Sequence, residues 1–374
     1  MRPIKADANS AGGIRPVFSQ DLTAATLWEH VAHAGLKAAA VGWPVSYPVT
    51  TKDENQPLVV SDVFAQAQGK TREHWPKDNA SISDSDLHET LAPLRIHPNE
   101  VSAELMATFL IKAEEISQDN DERLSLLATI IARTASLHAV SSWIAEHYHS
   151  NLLSIHFDFI ERISAAFLEY RVPRMRHVSA NDFDHYKDII DNAYAYFDHL
   201  LGHYLTLIDN QCHIMLASDH GYLTENLRNY SEKKGGERVA KNYREVGIFC
   251  VAGPGIKQDE LVSGTTQLDI TPTALALLGL AIPTSLAGRV EQNIFETAVK
   301  VDNTNDLDVD RSHLSMPNDE HSTQQVFELI TAGYIAQPAK EAERAYVQTQ
   351  VDWFSTLAQT LMAKLDYENA IVAL

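Results

Sequence analysis

The chain has 374 residues, 45% of them hydrophobic, which is enough for a large domain with a smaller one and excludes a wholly disordered polypeptide. With 30 basic against 50 acidic residues the formal net charge is −20, and no run of lysine or arginine offsets it. That balance excludes duplex nucleic acid as a partner and gives an anionic membrane nothing to hold.

The opening, MRPIKADANSAGG, lacks the apolar segment of a signal peptide and runs into a loop-like stretch with no strand before it. TLWEHVAHAG predicts an amphipathic helix closed by Gly35. KAAAVGWPV follows as a short strand halted by Pro44, so the pair forms the αβ half of a βαβ unit. Residues 51–100 are polar, with prolines and the patch SISDSD, and predict an irregular excursion. Residues 101–150 are helical by periodicity, first VSAELMATFLIKAEEI and then RLSLLATIIARTASLHAVSSWIAEHYH. LLSIHFDFI is the next strand, and the helix DFDHYKDIIDNAYAYFDHLLGHYLTLI leads to a further strand, CHIMLAS. GIFCVAGPGI predicts a strand and a tight turn, and LDITPTALALLGL a strand end running into a helix. The alternation predicts an α/β fold with a mostly parallel sheet flanked by helices, a helical insertion around 60–150 and a helical tail. Residues 301–320 have linker composition, and no apolar run is long enough to span a membrane.

Cys212 and Cys250 cannot build a disulfide framework; both fall in apolar strands and are expected to be small buried hydrophobes. Two free thiols suit a reducing compartment such as the cytoplasm, while the periplasm stays open because the N-terminus reads as clipped. Chemistry concentrates at Ser218-Asp219-His220-Gly221, at the C-terminal end of the CHIMLAS strand, where ligands gather in parallel α/β sheets. Asp219 and His220 offer one oxygen and one nitrogen to a divalent metal, and the same residues also suit a plain turn. His147 and His149 are two apart, which does not place them on one helix face; they and His156 read as surface or core-edge histidines. Arg171, Arg174 and Arg176 form a solvated basic group.

Several segments occur in a telling order: LASDHGY, then REVGIFCVAGPGIK, then LDITPTALALLGL with Pro283 just after. This order resembles the alkaline phosphatase superfamily, in particular its type I phosphodiesterase/nucleotide pyrophosphatase branch. LWEHVAHAGLKAAAVGWPVSYP is similar to the helix–strand after the nucleophile region of that branch. LLSIHFDFIERISAAFLEYRVPRMRHV is similar to its segment with an Asp and a His four residues on. The resemblance covers residues 12–300 and implies metal-dependent hydrolysis of a phosphodiester or pyrophosphate through a covalent phospho-enzyme, at two metals, commonly zinc. It places Asp219 and His220 at the first metal; for the second it puts Glu161 at the Asp position, Ala165 at one His position and Tyr243 at the other. Glutamate can still ligate, alanine cannot, and tyrosine is an uncommon zinc ligand. The strand with the first Asp and the nucleophile loop would precede Gly12 and are not in the eleven residues before it, so no catalytic nucleophile is assigned. The resemblance therefore implies lost or severely impaired activity, and zinc or another divalent metal held weakly or not at all. It also predicts that Glu161, Ala165 and Tyr243 converge beside Asp219 and His220.

The last residues, DWFSTLAQTLMAKLDYENAIVAL, fit a tetratricopeptide register at Phe354, Leu357, Ala358, Leu361, Tyr367, Ala370 and Leu374, and equally an amphipathic helical hairpin. A repeat of ~34 residues starting near Val351 is cut before its second helix ends, so both ends of the chain read as clipped. The expected organisation is an alkaline-phosphatase-like domain over 12–300, a linker over 301–320 and a helical tail over 321–374. A non-catalytic reading keeps the anion pocket as a binding site and uses the tail to recruit a protein partner.

Overall fold

The computed structural model describes residues 4–6, 14–49, 56–112, 115–116, 121–224, 227–228 and 242–314; the tetratricopeptide-like tail lies outside them. The chain opens with a hairpin of β1 (Ile4–Ala6) and β2 (Ile14–Pro16). Thr26 then caps α1 (Leu27–His33): its hydroxyl accepts from the Glu29 N–H while the Glu29 carboxylate accepts from the Thr26 N–H, which satisfies two otherwise orphaned donors. Gly35, at φ 81°, ends the helix as expected.

Next comes β3 (Ala38–Val41), the centre of a three-stranded parallel sheet with β4 (Leu58–Val60) on one side and β5 (Leu152–Ile155) on the other. β4 corrects the expectation of an irregular excursion over 51–100. The rest of the path to residue 100 is 3-10 turns and the short helix α2 (His88–Leu91). The helix expected over 101–116 is also corrected. Among the described residues of that stretch the helix is α3 (Ala103–Ala107), after which the chain leaves the helix and buries Phe109 and Leu110 in the core.

α4 (Glu122–His147) lies on the crossover from β4 to β5. Its Leu137, Val140 and Ile144 pack on Ala39, Val41, Leu58 and Val60 of the sheet. It is long and apolar enough to cross a membrane by length and composition, yet 61% of its most apolar stretch is buried inside the protein. Upstream on the same helix, Leu127, Ile130 and Ile131 join a second core with α5 (Phe159–Phe167), α6 (Ala180–Tyr186) and α7 (Ile189–Leu207).

After α7, β6 (Ile214–Ser218) leads through the turn at Asp219 into β7 (Gly221–Tyr222). β7 pairs with β8 (Tyr243–Arg244), and β6 pairs antiparallel with β9 (Ile248–Ala252). The sheet material is therefore mixed: β9 runs against the parallel direction expected of it. Gly247 permits this ribbon, since a Cβ there would collide with the Ser218 carbonyl. Both cysteines are exposed, which corrects their expected burial; Cys212 precedes β6 and Cys250 sits on a face of β9 left open. The segment expected to begin as a strand end is instead a capped turn feeding α8 (Ile270–Leu277), which packs with α1 on the face of the sheet opposite α4. Residues 301–314 lie against this body. β10 (Ile282–Pro283) pairs with β11 (Asn303–Thr304), and buried Arg311 meets Glu29 at 2.6 Å.

Candidate functional site

Three strands end at one place. After β3 the chain turns at Gly42, whose φ of 72° and close approach to the His156 carbonyl leave no room for a side chain. After β5 come His156 and Asp158, and after β6 come Asp219 and His220. Four of the five positions singled out from sequence are joined here. Tyr243 lies opposite Tyr222 in the β7–β8 ladder, which carries its ring to His220 with centroids 4.1 Å apart. The Tyr243 hydroxyl donates to Glu161 Oε1 at 3.2 Å, and the Tyr222 hydroxyl donates to the Glu161 carbonyl at 3.3 Å. Asp219 Oδ1 is 3.9 Å from His220 Nε2, and the Asp219 side chain is largely exposed. Ala165 stands one turn after Glu161 on α5 and brings no donor atom.

The hydroxyls respond to this setting. Burial, reinforced by the charge of Glu161, pushes the Tyr243 phenol up; the Tyr222 phenol is raised in the same way, with Tyr243 also contributing. Both stay protonated and act as donors at neutral pH. His220 contacts the Gly221 carbonyl through Nδ1 at 3.2 Å, the arrangement in which Nδ1 carries the proton and Nε2 is left as a ligand.

Beneath these residues lies a charged layer that the sequence reading passed over. Asp158 accepts from Arg162 Nε at 2.6 Å and from Arg133 Nε at 3.2 Å. Burial works against its charge, but the two guanidiniums together with His156 outweigh it and hold the carboxyl well below the usual range. His156, read as a surface or core-edge histidine, sits under Trp43 with centroids 5.4 Å apart and within the fields of Asp158, Arg133, Glu161 and Asp219. Burial dominates among these influences and pushes the imidazole down. Its position directly after a parallel strand was the available signal. His147, by contrast, stacks on Trp143 away from this site, and Arg171 pairs with Asp191 at 2.8 Å. Beside Tyr222 a cavity of about 370 Å³ opens between Ser164, Ile190, Tyr194 and the Arg171–Asp191 pair.

A divalent metal would draw on Asp219, His220 and Glu161. Among the described residues no group of three or more His, Cys, Asp or Glu side chains converges as a ligand set. The Tyr243 ring lies against His220 while its hydroxyl occupies Glu161, so the donors do not fit a two-metal centre.

No curated protein and no solved structure matches this chain. Comparison with protein families gives a match to type I phosphodiesterase / nucleotide pyrophosphatase across residues 6–321. That span takes in the sheet, the crossover helices and every residue of the site, and the chain belongs to the type I phosphodiesterase/nucleotide pyrophosphatase family.

Proposed function

We propose that this is a phosphoester-hydrolase-type domain in which metal-dependent turnover is lost or severely impaired. The observation that carries this reading is the Tyr243 side chain, which bridges Glu161 and His220 and substitutes a neutral hydroxyl and ring for a cation. Phosphoryl transfer in a two-metal site relies on cations to activate the nucleophile and meet charge on the leaving oxygen. Ala165 supplies no ligand, and a protonated Tyr243 cannot take the place of a second cation. Asp219 and His220 remain as a two-ligand remnant, able to hold zinc only weakly.

The test is turnover of a nitrophenyl phosphodiester by the purified chain with added zinc. The expected result is a rate indistinguishable from that of the Asp219→Ala variant. Zinc-dependent, chelator-sensitive turnover that Asp219→Ala abolishes would overturn the reading.

A further inference from the structure

The cavity beside Tyr222, about 370 Å³, has the size of a small-molecule site. Leu168 and Ile190 give it apolar walls, and Tyr194 and Tyr222 add two aromatic rings. Its charged side is the Arg171–Asp191 pair, which sequence alone showed only as a solvated basic group. The fold supplies the second charge from the first turn of α7, 20 residues on. Arg171 donates from Nε at 3.0 Å and from Nη2 at 2.8 Å to the same oxygen, Asp191 Oδ1. A guanidinium carries five N–H donors and a carboxylate two acceptor oxygens. The Nη1–Nη2 edge of Arg171 is therefore left for an anion and Oδ2 of Asp191 for a cation, and neither has another partner among the described residues. The backbone holds the pair ready: the Arg171 N–H donates to the Leu168 carbonyl at 3.3 Å, and the Arg171 carbonyl accepts from the buried Arg228 guanidinium at 2.6 Å. A rim ordered in advance lowers the entropic cost of binding.

We infer that this cavity binds a free α-amino acid with an apolar or aromatic side chain. Its carboxylate lies on the open edge of Arg171, its ammonium on Asp191, and its side chain between Leu168, Ile190 and the two tyrosines. A simple anion would gain Arg171 but meet the charge of Asp191, and a simple cation would gain Asp191 but meet Arg171. A ligand with both charges on adjacent atoms satisfies both groups at once. An inorganic anion, or glycine, would leave the apolar walls uncovered. None of the lining residues is a ligand position of the metal corner, so zinc binding and turnover there can hold or fail without touching this site.

The test is calorimetric titration of the full chain with L-phenylalanine, glycine, phenylpropionate and phenethylamine. Phenylalanine should bind saturably. The other three lack in turn the side chain, the ammonium and the carboxylate, and each should bind at least about tenfold more weakly. Asp191→Asn should weaken phenylalanine at least about tenfold and leave phenylpropionate no weaker, because the competing anion is gone. Arg171→Gln should weaken both. The pair is partly exposed, so both variants should keep a melting temperature close to that of the parent. No saturable binding of phenylalanine by the parent, equal affinity for phenylalanine and phenylpropionate, or phenylalanine affinity unchanged in both variants would each overturn the proposal.

Discussion

Asp158 shows how the site is held from below. Its carboxylate is the shared counter-ion of Arg133 and Arg162, and Arg133, with a side chain only 9% exposed, already has one nitrogen, Nη1, buried without a hydrogen-bond partner. Removing one member of such a group leaves charge uncompensated in a poorly solvated place. Asp158→Ala should therefore destabilise the fold by about 3–5 kcal/mol, read as a shift of the urea midpoint. A change within about 0.5 kcal/mol would mean that water already compensates the guanidiniums. The Asp219-His220 pair was legible in sequence because its two residues are adjacent at a strand end. The Arg133–Asp158 partnership was not, because 25 residues separate its members and only the β5–α4 packing brings them together. Glu161 and Tyr243, 82 residues apart, were found only through the resemblance to a family.

Elements whose signals are local were readable, and those decided by tertiary packing were not. α1 announces itself through Thr26, Glu29 and Gly35, all within one short segment. β4 is three buried residues, too short for any periodicity, and exists because β3 offers it an edge. The α4–α7 contact is a further tertiary product. His138 packs edge-on to His203 with centroids 5.0 Å apart, and its Nδ1 lies 3.1 Å from the Tyr204 hydroxyl, which also meets Ser141. Burial, followed by the neighbouring His203 and His199, pushes His138 down to about 4. The folded-state value lies below the ordinary 6.5, so the unfolded chain binds the proton more readily in that window. The contribution is fully present above pH 6.5 and is lost as the pH falls toward 4. Thermal melts between pH 7 and 4.5 should show a smaller drop in Tm for His138→Gln than for the parent chain. Parallel curves would mean that His138 does not contribute to the acid sensitivity of the fold.

At the scale of the whole molecule, the α/β architecture with a parallel centre follows from the helix–strand alternation, and the family match over residues 6–321 agrees with it. The antiparallel course of β9 and the exposure of Cys250 did not follow, because an apolar run in sequence carries no information about strand direction or about which face stays uncovered. We propose that Tyr243 fills, and Ala165 deprives of a ligand, a corner built for metal by Asp219, His220 and Glu161. Calorimetric titration with zinc tests it most directly, comparing the parent chain with a Glu161→Asp, Ala165→His, Tyr243→His variant. The parent should bind zinc weakly and without fixed stoichiometry, and the variant with affinity at least about tenfold higher, because two imidazoles join Asp219 and His220. Tight, stoichiometric zinc binding by the parent, or no gain in a folded variant, would contradict it.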